Sequence, residues 1–210
     1  DVVLAAWIDY RPERPADVDW LRFTRAFDEL LELLQTDYLD ILNWRLGDGF
    51  AMPSFSDEFH RQTEALKAAG KLRATAFYTG DGSDELICSV AQSGACDALF
   101  RGFGLLNPQV RERVLPLIEE RGLGFLGFIP FQKGWFFECA KEAGLMEEGG
   151  AEIARLGLKW VLEHEAVSST LVGVSTIAEL EANCAAADGK ALSAEERERL
   201  MRLVDTKAYG

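Results

Sequence analysis

Basic residues are scarce in this chain. Its 210 residues carry 22 Lys and Arg against 35 Asp and Glu, a formal charge of -13 at neutral pH. Such a surface repels phosphate backbones and anionic lipid, which argues against nucleic acid or a membrane surface as a partner and leaves small molecules and other proteins. Long apolar runs are missing as well, since none approaches the roughly 18 to 20 residues a membrane span needs. The opening "DVVLAAWIDY" lacks the basic-then-apolar order of a signal sequence, so an intracellular, cytoplasmic protein is expected. Cysteine is sparse. Cys88, Cys96, Cys139 and Cys184 show neither a CxxC pair nor the Cys/His spacing of a metal site, and free thiols in a reducing compartment are expected.

A hydrophobic content of 48% is enough for one sizeable core, and residues 1–210 read as a single domain. The chain has no initiator Met and opens directly on the β-branched run "VVLAAWI", so a start inside an element, with more sequence upstream in a parent protein, is expected.

Short apolar runs alternate with longer amphipathic stretches, the pattern of a parallel sheet covered by helices. The runs Val2–Ile8, "DYLDILNW", "LRATAFYT", "CDALFRGFG", "LGFLGFIPF" and "SSTLVGVS" predict six strands. The first helix carries a stripe of Leu21, Phe27, Leu30, Leu31 and Leu34, with Asp17 or Asp19 as its cap. Helices over "SFSDEFHRQTEALKAAGK", "SDELICSVAQSG", "PQVRERVLPLIEERG", "AEIARLGLKWVLEH", "IAELEANCAAAD" and "SAEERERLMRLVD" follow, the last capped by Ser193. The stretch "QKGWFFECAKEAGLMEEGG" predicts a less regular loop. About six βα units result, and both an open doubly wound sheet and most of an eight-unit barrel satisfy this order.

Five segments in order resemble the aldo/keto reductase family. "TDYLDILNW" is similar to the family's D-Y-x-D-L-x-x-I-H-W, and "EALKAAGKLRATAFYT" to A-L-x-x-x-G-K-I-R-x-I-G-V-S-N. "GACDALFRGFGLLNP" resembles G-x-x-D-x-x-Q-x-x-Y-N-L-L-N, and "LPLIEERGLGFLGFIPFQKG" resembles L-x-x-x-x-x-x-G-I-G-V-x-A-Y-S-P-L-x-x-G. "LKWVLEHEAVSSTLVGVSTIAELEANCAAAD" is similar to the closing W-V-L…V-G-x-x-x-x-x-x-x-E-N. The resemblance implies a TIM (β/α)8-type barrel that binds NAD(P)(H) at the C-terminal ends of its strands and reduces carbonyls. It places "VVLAAW" on the family's third strand, leaving about six βα units here, an abbreviated barrel. A homo-oligomer or a partner chain would then cover its open strand edges.

The same resemblance implies site residues and shows most of them changed. Trp7 falls at the family's catalytic Lys and Asn43 at its catalytic His, where "DYLDILNWR" ends in an amide, an indole and a guanidinium. Asn43 could donate to a substrate carbonyl, but it cannot change charge near neutral pH; a plain strand-end role is the alternative. Tyr10 and Tyr78 are candidate replacement acids, with packing as their other reading. Tyr78 and Thr79 fall at the Ser-Asn pair that holds the nicotinamide carboxamide, and Phe100 at the Gln that assists it. Phe103 falls at the ring that stacks under nicotinamide, and it reads equally as core. Gly173, Ser175, Thr176, Glu179 and Asn183 keep the turn that binds the adenosine side at a helix N-terminus. That segment has no Lys or Arg, so NAD(H) is expected over NADP(H). Lys133 with Trp135, Phe136 and Phe137 suggests an apolar lid, or packing on outer helices. His60 and His164 read as solvated, and so does the charged last helix. Two functions remain open: a divergent oxidoreductase acting on a small-molecule carbonyl, or a non-catalytic relative, a pseudoenzyme that binds or assembles without a cofactor.

Overall fold

A computed structural model describes residues 2–8, 17–45, 54–78, 84–147 and 149–205. They fall into two compact units, Asp1–Arg101 with Pro116–Gly124 and Gly102–Leu115 with Phe125–Gly210.

In the first unit, β1 (Ala5–Trp7), β2 (Leu39–Arg45), β3 (Leu72–Tyr78) and β4 (Ala98–Gly102) lie side by side, all parallel and in chain order. The chain passes between them through α1 (Trp20–Leu34), α2 (Ser54–Ala68) and α3 (Asp84–Ser93). Parallel strands need such crossovers, and chain order without reversal is the winding of a barrel wall; a doubly wound sheet reverses its order. One strand face takes the helices. Trp44 of β2 stacks on Phe23 of α1 at 5.0 Å and meets Phe59 of α2 at 4.9 Å, while Phe59 reaches Phe77 of β3 at 4.7 Å.

Asp19 caps α1, its carboxylate accepting from the N–H groups of Leu21 and Arg22. The buried stripe of α1 is Phe23, Phe27 and Leu31, whereas Leu21 and Leu34 are exposed. The stripe is turned because the aromatic slot between Trp44 and Phe59 takes Phe23. β1 is shorter than the expected run, and Val2 and Val3 stand exposed beside it. It is fastened by Asp40, which is buried and accepts from the Leu4 N–H at 2.9 Å and from the Arg73 guanidinium at 2.7 Å.

In the second unit β5 (Gly124–Phe128) pairs parallel with β6 (Ser169–Leu171). A π-helical turn, Val110–Val114, belongs to this unit, whereas α4 (Leu115–Arg121), which follows it in the chain, counts almost entirely with the first. The stretch expected as a loop holds a 3-10 turn, Gln132–Gly134, and a helix, α5 (Trp135–Glu142). Its Phe136, Cys139 and Ala140 are buried, so the aromatic run contributes to the core through Phe136 and keeps Trp135 outside. Gly157 of α6 (Gly150–Leu162) lets Phe136 approach, because a Cβ there would stand 2.7 Å from the ring. α7 (Ile177–Ala185) buries none of its residues. α8 (Ala194–Asp205) is capped by Ser193, whose hydroxyl accepts from the Glu196 N–H while the Glu196 carboxylate accepts from the Ser193 N–H. Its Leu200 and Leu203 are fully buried, so this helix is docked as well as solvated. Arg155 of α6 holds Glu196, and Arg197 holds Glu163.

All four cysteines are free, with Cys96 and Cys139 buried and Cys184 exposed. Burial pushes the Cys96 thiol up to about 12. Among the described residues no helix is long and apolar enough to cross a membrane.

Candidate functional site

Side chains alternate along a strand, so the residues opposite Trp44 and Phe77 share the other face of the first unit. Register places Trp7 beside Asn43, Asn43 beside Ala76 and Ala76 beside Ala98. One step toward the C-terminal ends, Arg45, Tyr78 and Phe100 form the next row. Small alanines below and rings above leave the polar groups at the strand ends. The Trp7 ring meets Tyr78 at 5.1 Å and Phe100 at 5.6 Å, both edge-on, and Tyr78 meets Phe100 at 5.7 Å. The Arg45 guanidinium lies 5.5 Å from the Tyr78 ring centre, a cation–π distance. Asn43 is 4% exposed, and its Oδ1 has no hydrogen-bond partner among the described residues. Trp7, Asn43, Tyr78 and Phe100 are therefore brought together. Tyr10 and Thr79 lie outside the described residues.

The remaining candidates sit in the second unit and are not gathered in one place. Phe103 is 1% exposed, packed among Phe125, Trp160 and His164 at 5.3 to 6.0 Å. Of its two readings, core describes that setting. His164, expected in solvent, packs edge-on against Phe103 and Trp160, and its Nδ1 lies 2.8 Å from the Trp160 carbonyl. His60 is exposed as expected. Gly173, Ser175, Thr176 and Glu179 lie at the exposed entrance to α7. Thr176 caps the helix by accepting from the Glu179 N–H at 3.1 Å, and the Glu179 carboxylate accepts from the Ser175 N–H at 2.7 Å. The turn thus carries its own anion. Asn183 lines a cleft of about 260 Å³ between α6, β6 and α7, together with Thr170, Leu180 and Cys184.

Arg45 was not among the expected site residues. Its signal was present: it lies two positions after Asn43, which on a strand means the same face.

Parallel strands in chain order, each followed by a helix, with candidate residues at the strand ends, can be set against known proteins. The Aldo/keto reductase family pattern matches residues 1–205. The chain belongs to the aldo/keto reductase family. Among curated proteins, it is similar to L-galactose dehydrogenase of Arabidopsis thaliana, with 26% identity over 185 residues, 79% of this chain and 57% of that protein. The chain therefore spans a little over half the length of that relative. Among solved structures, it is similar to the holo form of an aldo-keto reductase from Bacillus halodurans, with a TM-score of 0.74 and 22% identity over 97% of this chain and 72% of the other. An aldo/keto reductase from Klebsiella pneumoniae, crystallised with NADP and acetate, gives a TM-score of 0.71 at 25% identity over 96% of this chain and 70% of the other. The fold is accordingly that of the family's TIM (β/α)8-type barrel, here with about six βα units.

Proposed function

We propose that the chain is a divergent aldo/keto reductase-type, NAD(P)(H)-linked oxidoreductase in which Trp7 and Asn43 stand at the positions of the family's catalytic Lys and His. The observation that carries this reading is the Asn43 oxygen. It is a buried acceptor without a partner among the described residues, set at a strand end on the face where Trp7, Tyr78 and Phe100 meet. A buried polar atom without a protein partner is completed by an ordered water or by a ligand, and at a strand end beside other candidate residues a ligand is the occupant we propose. Asn43 can accept from a hydroxyl or carboxamide N–H, and with the amide turned it can donate to a carbonyl oxygen. It cannot exchange a proton near neutral pH, so its part is to bind and orient. The proton for the developing alkoxide comes from another group, with Tyr78 and Tyr10 the candidates in this chain.

A nicotinamide cofactor, when bound, supplies the hydride. By the resemblance, Tyr78, Thr79 and Phe100 correspond to the positions where the family holds the carboxamide, and Gly173, Ser175 and Thr176 to those of its adenosine-side turn. The Glu179 carboxylate on the Ser175 N–H favours NAD(H) over NADP(H), because a 2′-phosphate there would meet a like charge. One family pattern runs through both units, which supports reading residues 1–210 as a single domain. The name of the Arabidopsis relative supports a small hydroxylated substrate, and the Klebsiella crystal supports a nicotinamide cofactor. A second copy or a partner chain over the open edges of β1 and β6 belongs to the same proposal.

The contacts among Trp7, Tyr78 and Phe100 favour one further reading, a pseudoenzyme whose rings pack on each other and hold no cofactor. Titration with NADH and with NADPH, followed by nicotinamide fluorescence and tryptophan quenching, decides between them. Saturable binding with NADH the tighter is the expected outcome, and a carbonyl screen with bound NADH then tests turnover. No binding of either up to millimolar concentration would leave the non-catalytic relative.

A further inference from the structure

We infer that the Asn43–Arg45 face binds a hydroxy acid, a small molecule that presents a hydroxyl to the buried Asn43 oxygen and a carboxylate to the Arg45 guanidinium. This rests on reading that face as the substrate end of the chain.

The inference starts from two unmet requirements on one strand. Asn43 Oδ1 needs an N–H or O–H donor, and no described residue supplies one. Arg45, on the same face two residues on, has no carboxylate in ion-pair contact among the described residues, although the chain holds 35 Asp and Glu against 22 Lys and Arg. Several other arginines are matched: Arg61 with Glu58, Arg73 with Asp40, Arg155 with Glu152 and Glu196, and Arg197 with Glu163. An exposed guanidinium with no carboxylate on it among the described residues, and set 5.5 Å from the Tyr78 ring centre, is an oriented anion receptor.

The geometry sets the size and chemistry of the ligand. The Cα atoms of residues two apart on a strand are separated by roughly 6.6 Å, a spacing that one molecule bridges when its hydroxyl and carboxylate sit on different carbons. A planar carboxylate matches the guanidinium fork with two parallel hydrogen bonds. Between the two groups the neighbours are the rings of Trp7, Tyr78 and Phe100, against which the C–H face of a polyol chain packs. A neutral sugar satisfies only Asn43, and a simple fatty acid satisfies only Arg45.

Calorimetric titration of the full chain with gluconate and with glucose, in a carboxylate-free buffer, tests the assignment. Gluconate is expected to bind the more tightly, and Arg45→Met to weaken it about tenfold or more while leaving glucose unchanged. Asn43→Leu should weaken both sugars. Arg45→Lys keeps the charge without the fork and should retain part of the gluconate affinity; it also serves if the Met variant misfolds. Equal affinity for gluconate and glucose, or gluconate binding unaffected by Arg45→Met, would overturn the assignment. So would a protein that takes up NADH and ignores gluconate, in which case the cofactor reading survives alone. Arg45-dependent gluconate binding without NADH or NADPH binding supports the hydroxy acid site and removes the cofactor reading.

Discussion

Asn43 shows how much of a site one residue can carry and how little of that is written in its letter. Its place near the end of a strand is legible from "DILNW". Its missing hydrogen-bond partner is not, because that depends on what Trp7 of β1 and Ala76 and Tyr78 of β3 fail to offer across two other segments. A buried acceptor left unpaired costs about 1–3 kcal/mol. Asn43→Leu, close in volume and without the amide, is therefore expected to stabilise the free protein by roughly 1 kcal/mol in urea unfolding. A loss of stability would mean that the amide is satisfied after all. Cys96 makes a second prediction. Its thiol is held protonated to about 12 in the fold, against 9.0 for the free group. Between those values the unfolded chain has released a proton that the native chain retains, so stability is full below about pH 9 and declines as pH rises toward 12. Urea midpoints from pH 8 to pH 11 should fall, and Cys96→Ala should flatten that fall.

Among the elements, order survived the passage from sequence to structure better than boundaries did. The alternation of apolar runs and amphipathic stretches places all six strands, since the period-2 and period-3.6 signals are local. α5 was missed because eight residues with Trp135, Phe136 and Phe137 in a row blur any helical period; only the packing of Phe136 against Gly157 separates the buried ring from the exposed one. β1 has three residues and hydrogen-bonds to a single neighbour, β2, among the described residues. Asp40 holds it from the side, through Leu4, and is itself held by Arg73. Asp40→Ala should cost about 2–3 kcal/mol, from two hydrogen bonds that involve a charged group. The loss should appear first as faster amide exchange of β1, with α1 and β2 following at higher denaturant. Exchange that rises evenly through the first unit would show that β1 is not held separately.

For the molecule as a whole, charge is the property most directly read from sequence. A surplus of thirteen negative charges makes the compact state repel itself, while most of the ion pairs are surface contacts of small worth. Raising ionic strength from about 0.01 M to 0.15 M shortens the screening length from roughly 30 Å to 8 Å, and the melting temperature is expected to rise with it. A fall would mean that pairs such as Arg155 with Glu152 and Glu196 outweigh the repulsion. The arrangement of the α7 entrance has a consequence for how a ligand can be detected. A helix that rests on α6 but buries none of its own residues is the more readily opened of the two, so its amides should exchange with deuterium before those of its buried neighbour α6. Any molecule that settles on Ser175, Thr176 and Glu179 would slow that clock, and the protein would report its own occupancy whether or not a reaction follows.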